Sequence, residues 1–324
     1  MAWSQEMRIR QAENQRPLAR TLRQDDARRL QGGRACLATI NHRDVAQQKC
    51  GSDMDERLKQ FMDDSERIRA HLRDFSVTIV TMTAEPKPAA IGSGTLVKIG
   101  ERYGIFTAAH VVRDVPKERF CLVFAERQEG LNAFISSVRL DGGRAYPDGT
   151  SDLLDVAFLE LSAEGVETVG RHKQFLPESR IEVGTAYRDA RFVGYGTPRT
   201  LVAGSGTQLR AKPLFYVTEA TSVRTNGRTI DDHIFLEYPR AGNIHLADGS
   251  AFGLKPDESR LLDDPRGISG GGIWTPRLDG GDYSNPETFA LVGILAGFIP
   301  GCRHIVGNQI QHALMVINKA VEPN

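Results

Sequence analysis

From about residue 75 onward, the chain consists of short β-like runs separated by turn residues. Gly is abundant, at 32 residues, which suits many short strands and turns better than long helices. About a dozen short strands without helices between them predict an all-β fold of barrels or sandwiches. The predicted strands are Val77–Met82, Gly94–Ile99, Tyr103–Thr107, Phe120–Phe124, Val156–Leu161, Arg191–Tyr195, Leu214–Val217, His233–Tyr238, Gly272–Trp274, Ala290–Leu295 and His304–Val306.

Two amphipathic patterns predict helices at the ends of this β-rich region. The first covers residues 54–75, and we expect it to pack against the following domain, with a partner-docking helix as the alternative. The second closes the chain. Their apolar faces share a helical period and consist of Leu58, Phe61, Met62, Ile68, Leu72 and Phe75 in the first, and of Ile310, Ala313, Leu314, Ile317 and Val321 in the second.

Residues 1–53 differ from the rest in composition. They hold ten Lys/Arg, nine of them Arg, against six Asp/Glu, together with seven Gln and few large apolar residues. We expect this segment to be disordered or weakly structured. An RNA-binding tail, or a translation start at Met54 that leaves the segment out, are the alternatives. The sequence therefore divides into residues 1–53, a helix over 54–75 and a domain over 76–324.

The charge and cysteine content exclude several classes of protein. Lys+Arg and Asp+Glu both total 41, so overall charge predicts neither a nucleic-acid nor a membrane partner. The sequence contains no apolar run of the kind that predicts a membrane span or a signal peptide, and we expect a cytoplasmic protein. Cys36, Cys50, Cys121 and Cys302 lack metal-ligand spacing, and reduced thiols are favoured over disulfides.

Three short segments carry residues suited to acid–base and nucleophilic chemistry. His110 ends the strand-like run before Thr107-Ala108-Ala109, whose small side chains can hold an imidazole rigidly at a cleft. Asp155 opens the apolar strand Val156–Leu161, and a carboxylate withdrawn from water there needs a partner such as an imidazolium. Asp152 is the nearby alternative.

The third segment is Gly267-Ile268-Ser269-Gly270-Gly271-Gly272. Glycines around a serine allow a sharp turn and the close approach of a carbonyl group, and they let backbone N–H groups converge on an oxyanion. Taken alone, such a segment is more often an ordinary turn.

Together, the three segments resemble the chymotrypsin-like serine peptidases of the PA clan, whose pattern runs T-A-A-H, then D-[IVL]-A, then G-x-S-G-G. The run Phe192-Val193-Gly194-Tyr195-Gly196 resembles the strand that opens the family's second barrel. The run Gly293-Ile294-Leu295-Ala296-Gly297 resembles the strand that pairs with substrate backbone. The similarity covers residues 76–321 and implies a chymotrypsin-like double β-barrel with an N-terminal helical segment and a C-terminal helix.

The resemblance implies a serine endopeptidase acting on proteins or peptides without a metal or organic cofactor. His110, Asp155 and Ser269 would form the catalytic triad, and the N–H groups of Gly267 and Ser269 the oxyanion hole. Asp263 lies six residues before Ser269, where trypsin-type enzymes select a basic side chain, although an exposed turn fits Asp263 equally. Ala296 and Gly297 would contact substrate, and Phe298 would narrow the pocket.

Two departures separate this chain from the trypsin-type enzymes. Ile268 stands where those enzymes have the aspartate that pairs with the N-terminus released by zymogen cleavage, so activation by that route is not expected. Val111 stands where many secreted members have a cysteine, which indicates a bacterial-style, disulfide-free member.

Two other functions remain open from the sequence. A catalytically silent chymotrypsin-fold binding module would keep the fold without the activity. The motif Gly267-x-Ser269-x-Gly271 also fits the nucleophile elbow of α/β-hydrolases, but that fold needs alternating strands and helices, and only 55 residues follow Ser269. The sequence does not determine the oligomeric state.

Overall fold

A computed structural model describes most of the chain after residue 62. The described residues are 56, 59–60, 63–82, 88–113, 120–124, 137–139, 144–147, 154–184, 191–199, 202–205, 208–211, 213–221, 229–238, 243–245, 251–253, 265–277 and 282–319. The chain divides into two compact units, Met1–Gln60 and Phe61–Asn324. Residues 1–53, for which the sequence predicts disorder, lie outside the described residues. All elements named below belong to the second unit.

The first half of this unit forms an eight-stranded sheet. Its strands are β1 Ser76–Met82, β2 Pro88–Ile99, β3 Arg102–Thr107, β4 Phe120–Val123, β5 Ser137–Arg139, β6 Arg144–Pro147, β7 Ala157–Glu160 and β8 Leu176–Pro177. Their order is β5-β4-β1-β2-β3-β7-β6, with β8 added parallel to β2. All other neighbours are antiparallel, so short connections are sufficient to link most of them.

The second half forms a six-stranded antiparallel sheet and two small hairpins. The strands in chain order are β9 Arg191–Gly196, β10 Val202–Ser205, β11 Gln208–Ala211, β12 Leu214–Glu219, β13 His233–Glu237, β14 Asn243–His245, β15 Ala251–Gly253, β16 Gly272–Pro276, β17 Phe289–Ile299 and β18 His304–Gln309. The sheet order is β12-β9-β16-β17-β18-β13, and the hairpins are β10-β11 and β14-β15.

Short helices complete the unit. They are α1 over residues 63–74, α2 Ala109–Arg113, α3 Ala163–Gly170 and α4 Ile310–Lys319. The pattern for 54–75 predicts the first of these and that for the C-terminus predicts α4, whereas α3 has no counterpart in the sequence analysis. Its start is fixed by a local cap, because the Ser162 hydroxyl accepts a hydrogen bond from the Gly165 N–H at 3.1 Å.

Three apolar clusters hold these elements together. One joins the first sheet to α2, α3 and the hairpin β10-β11, a second lies at the second sheet, and the third joins both sheets to α1 and α4. In this third cluster, Ile68, Leu72 and Phe75 are buried, so the described part of the apolar face of α1 packs on its own domain. Trp274, fully buried in the same cluster, comes from the strand that follows the glycine-rich turn.

The prediction of an all-β chain with a helical segment before the first sheet and a helix after the last strand is confirmed. Each half of the domain forms its own sheet, antiparallel except for the pairing of β8 with β2. Among the described residues, no helix is long and apolar enough to cross a membrane. Cys302 is a free thiol, and Cys36 and Cys50 lie outside the described residues.

Candidate active site

His110 lies in the first turn of α2, directly after β3. Its neighbours Ala108 and Ala109 are fully buried, and Val111 is nearly so. The imidazole is 46% exposed, so this short helix buries its apolar residues and leaves the ring at the surface. The buried side chains of Ala108 and Ala109 therefore fix the backbone of His110 while its ring remains accessible.

Asp155 reaches His110 because β7 pairs with β3. Thr107 and Ala157 are partners in this antiparallel pair, which places the residues before Ala157 beside those after Thr107. Asp155 Oδ2 lies 2.5 Å from His110 Nδ1, and Oδ1 accepts a hydrogen bond from the His110 backbone N–H at 2.9 Å. The Asn308 side-chain amide donates to the Asp155 carbonyl at 2.7 Å. Asp152, the alternative, lies outside the described residues.

The environment of Asp155 favours its ionised form. Burial alone would raise the pKa of the carboxyl, but the hydrogen bond and charge of His110, the His110 backbone N–H and the Arg113 charge outweigh burial, and the pKa lies below its ordinary value. An ionised carboxylate can only accept hydrogen bonds, so Nδ1 of His110 carries the donated proton. The neutral ring then has its lone pair on Nε2, the nitrogen that a general base uses.

Ser269 lies in a turn that only glycine can form at two positions. Gly267 and Gly270 have φ angles of +100° and +88°. A Cβ at Gly270 would lie 2.1 Å from the Ser93 carbonyl oxygen, and one at Gly267 would lie 2.5 Å from the Arg199 nitrogen. Both the backbone conformation and the close approach of other segments therefore require glycine.

The turn is held between the two sheets by backbone hydrogen bonds. On the side of the second sheet, Gly270 N–H donates to Leu295 O at 2.6 Å, and Leu295 N–H donates to Gly271 O at 2.8 Å. On the side of the first sheet, Ser93 N–H donates to Ser269 O at 2.7 Å. Ile268 is 4% exposed and belongs to the apolar cluster of the second sheet.

The turn and the helix that carries His110 lie close together. A Cβ at Gly92 would lie 2.5 Å from a methyl carbon of Val111 and 3.0 Å from Ser269 O, so Gly92 lies between them. A Cβ at Gly270 would likewise lie 3.0 Å from the Ala108 backbone nitrogen. Ala108, before His110, therefore lies beside Gly270 of the serine turn. Val111, after His110, lies beside Gly92, which is itself next to Ser269.

The Ser269 hydroxyl donates to Ala296 O, at 3.3 Å. Within the described part of the chain, no hydrogen bond joins it to His110. The N–H groups of Gly267 and Ser269 likewise have no acceptor among the described residues. The structure thus brings His110 and Asp155 together and leaves two amide donors of the serine turn available.

The residues predicted to contact substrate differ in how far they can be placed. Asp263 lies outside the described residues. Ala296 lies in β17 where the register with β18 shifts between Leu295 and Gly297, and a Cβ at Gly297 would have no atom within 4 Å. The Phe298 ring packs edge-on against Tyr238, with ring centroids 5.4 Å apart.

Sequence reasoning did not identify Ser93 or Asn308 as residues of the site. Both are polar and fully or nearly fully buried within strands. A polar residue inside an otherwise apolar or glycine-flanked strand was the available signal, because a buried polar group requires a hydrogen-bond partner.

No protein-family model matches the chain, and no curated protein is similar to it. Among solved structures, it is similar to the thermostable serine protease AL20 from an extremophilic microorganism, with 14% identity, a TM-score of 0.43 and coverage of 78% of this chain and 99% of that one. It is also similar to the Vibrio cholerae VesB protease, with 15% identity, a TM-score of 0.44 and coverage of 77% and 64%.

A third similar chain comes from a structure concerned with the coupled folding and binding of the intrinsically disordered Sesbania mosaic virus VPg protein. Its identity is 14%, its TM-score 0.39, and the coverage 76% of this chain and 91% of that one. Two of these three chains are proteases by name.

Proposed function

We propose that the chain is a serine endopeptidase that hydrolyses peptide bonds through Ser269, His110 and Asp155. The observation that carries this proposal is the hydrogen-bonded pair of His110 Nδ1 and Asp155 Oδ2, 2.5 Å apart, in which the His110 side chain is 46% exposed. A carboxylate that fixes the tautomer of an exposed imidazole is the arrangement that a general base requires. The proximity of the Ser269 turn to the segments around His110 supports the same function.

In the proposed reaction, the Ser269 hydroxyl first leaves Ala296 O by rotation about its Cα–Cβ bond. Side-chain rotations of this kind occur in picoseconds to nanoseconds, and catalytic hydrogen bonds are often unformed without substrate. Ser269 Oγ then attacks the peptide carbonyl carbon while its proton passes to His110 Nε2. The tetrahedral oxyanion receives hydrogen bonds from the N–H groups of Gly267 and Ser269.

Collapse of this intermediate breaks the C–N bond. His110 returns its proton to the leaving amine, and an acyl ester remains on Ser269. A water molecule then attacks the ester with His110 again as base, which releases the carboxylic acid and restores the serine hydroxyl. Asp155 remains ionised throughout and stabilises the imidazolium each time it forms.

A second candidate function is that of a catalytically silent binding module. The bond from the Ser269 hydroxyl to Ala296 O favours it, because the hydroxyl donates to a backbone carbonyl and not to His110. In that case, the glycine-rich turn would serve only to join the two sheets.

Labelling with a fluorophosphonate probe distinguishes the two functions. We expect the full chain and a control variant, Ser284→Ala, to be labelled, and Ser269→Ala to remain unlabelled. Ser284 is suited to the control because its hydroxyl binds only the nearby Asp282 carboxylate in the described structure. Labelling that is absent from all three proteins, or that persists in Ser269→Ala, would contradict the peptidase and favour the binding module.

A further inference from the structure

Ser93, in the middle of β2, uses all of its hydrogen-bonding groups around the serine turn. Its N–H donates to Ser269 O at 2.7 Å, and its hydroxyl donates to Gly267 O at 3.0 Å. The same hydroxyl accepts from the Thr197 N–H at 2.8 Å, and the Ser93 carbonyl accepts from the Thr107 hydroxyl at 2.7 Å. Ser93 is 2% exposed, so water does not compete for these bonds.

The four successive carbonyl groups of the turn all accept hydrogen bonds. The Gly267 and Ser269 carbonyls are bound by Ser93. The Arg266 carbonyl accepts from Arg199 N–H at 2.6 Å, and the Ile268 carbonyl accepts from Gly271 N–H at 2.9 Å. Two of these four carbonyl groups are therefore bound by a single residue of the first sheet.

Fixing the carbonyls determines where the N–H groups point. In a trans peptide, the carbonyl of one residue and the N–H of the next point in opposite directions. The two peptides held by Ser93 alternate with the two whose N–H groups belong to Gly267 and Ser269. Because each peptide plane is linked to the next through one Cα atom, loss of the Ser93 hydroxyl bond to Gly267 O would loosen the peptide between the two donor planes. Those planes would then be held only by the bonds to the Arg266 and Ile268 carbonyls.

We infer that Ser93 is a positioning residue that orders the oxyanion-binding turn as soon as the chain folds. This inference rests on the proposed function. Ile268, buried in the core of the second sheet, holds the same turn by apolar contact. The turn is thus held by the buried hydroxyl of Ser93 and the buried side chain of Ile268, without the aspartate that stands before the serine in trypsin-type enzymes.

The test compares Ser93→Ala with Thr78→Val. Thr78 is a matched control, because its hydroxyl is also buried and is 2.6 Å from the hydroxyl of Thr197, yet it binds no residue of the turn. We expect Ser93→Ala to lower kcat roughly 10- to 100-fold with KM nearly unchanged, less than the effect of deleting an oxyanion donor outright. Thr78→Val should keep kcat within about threefold of the wild type, since the turn keeps all its bonds.

Hydrogen–deuterium exchange of residues 265–271 provides a readout that does not depend on activity. Exchange in this segment should be about tenfold faster in Ser93→Ala and unchanged in Thr78→Val. Ser93→Cys, which keeps the side-chain shape and a weak donor, should give intermediate exchange and kcat, and serves if Ser93→Ala does not fold.

The outcomes separate this inference from the proposed function. Equal loss of kcat in Ser93→Ala and Thr78→Val, or unchanged exchange at residues 265–271 in both Ser93 variants, would overturn the positioning role. If the wild type has no Ser269-dependent turnover, the peptidase fails, and the exchange experiment alone decides: faster exchange upholds the ordering of the turn by Ser93, and unchanged exchange refutes it.

Discussion

The two sheets contribute to the candidate site in different ways. The first sheet presents side chains: His110 follows β3, Asp155 precedes β7, and strand pairing brings them within 2.5 Å. The second sheet presents a turn in which the backbone N–H groups of Gly267 and Ser269 would bind the oxyanion in the proposed reaction. Next to these two N–H groups, Ser269 contributes its hydroxyl and Ile268 a buried apolar side chain.

This difference predicts how each half responds to substitution. A side chain at the surface of the first sheet can be replaced at little cost in stability, because its backbone is fixed by strand pairing. The turn of the second sheet is packed against neighbouring backbone, so an added carbon atom disturbs the fold itself. Substitutions at His110 and Asp155 should therefore lower activity with little loss of stability, whereas substitutions of the turn glycines should lower both together.

The largest expected effect is on catalysis, from His110→Ala and Asp155→Asn. Each should lower kcat/KM by about 10²- to 10⁴-fold, because the base is lost or loses its tautomer. The double variant should be no slower than the more damaged single one, since the two residues act as a unit. His172→Ala, an exposed histidine in the same half, is the control. If the losses of kcat/KM in the two single variants multiply in the double variant, the two residues do not act as a unit.

The next largest effect is on stability, from Gly270→Ala. The new Cβ would meet Ser93 O at 2.1 Å, and alanine strains a φ angle of +88°. We expect the free energy of unfolding to fall by about 3 kcal/mol or more in a chemical denaturation experiment. A stable Gly270→Ala variant with an unchanged denaturation midpoint would contradict the tight approach of the turn to β2.

A smaller effect concerns the pH dependence of stability. The pKa of Asp155 is lowered in the folded protein, and that of an unfolded Asp is about 3.9. The stabilisation is therefore present above about pH 4 and is lost as the pH falls through the folded value. Denaturation midpoints of the wild type should fall more steeply below pH 4 than those of Asp155→Asn. Parallel curves for the two proteins would indicate that the carboxylate is not stabilised by His110.

The smallest effect is expected from Gly297→Ala, on the strand beside Ser269. A Cβ there meets no atom within 4 Å, and φ lies outside the left-handed region. The free energy of unfolding should stay within about 0.5 kcal/mol of the wild type. Together with Gly270→Ala, this variant tests whether glycine is required at the turn alone. A large loss of stability in Gly297→Ala would remove that distinction.

Parts of the site were accessible from the sequence because they depend on local rules. His110 was predicted because it follows an apolar strand and small residues, and Asp155 because it begins the next apolar strand considered, Val156–Leu161. The positive φ angles at Gly267 and Gly270 agree with the sharp turn inferred from the glycines around Ser269. The short helix α3 was missed, because its eight residues include Gly165 and Gly170, which weaken a helical pattern.

The partners of Ser93 could not be predicted in the same way. Its hydroxyl binds Gly267 across 174 residues of chain, and Thr197 across 104. A serine between two glycines in a strand says only that something small is needed there. Which carbonyl its hydroxyl reaches depends on how the two sheets pack.

The sequence by itself determined the alternation of strands and turns and the glycines that permit the serine turn, and it singled out the candidate site side chains, because each depends on residues close together in the chain. Three hydrogen-bonding arrangements depend on the tertiary structure. Asp155 binds His110 across 45 residues of chain, and Ser93 donates to two carbonyl groups of the turn. The Ser269 hydroxyl donates to Ala296 O. The physical reason is that hydrogen bonds form over distances near 3 Å. Whether two remote groups come that close is set by the packing of the sheets and not by local preference.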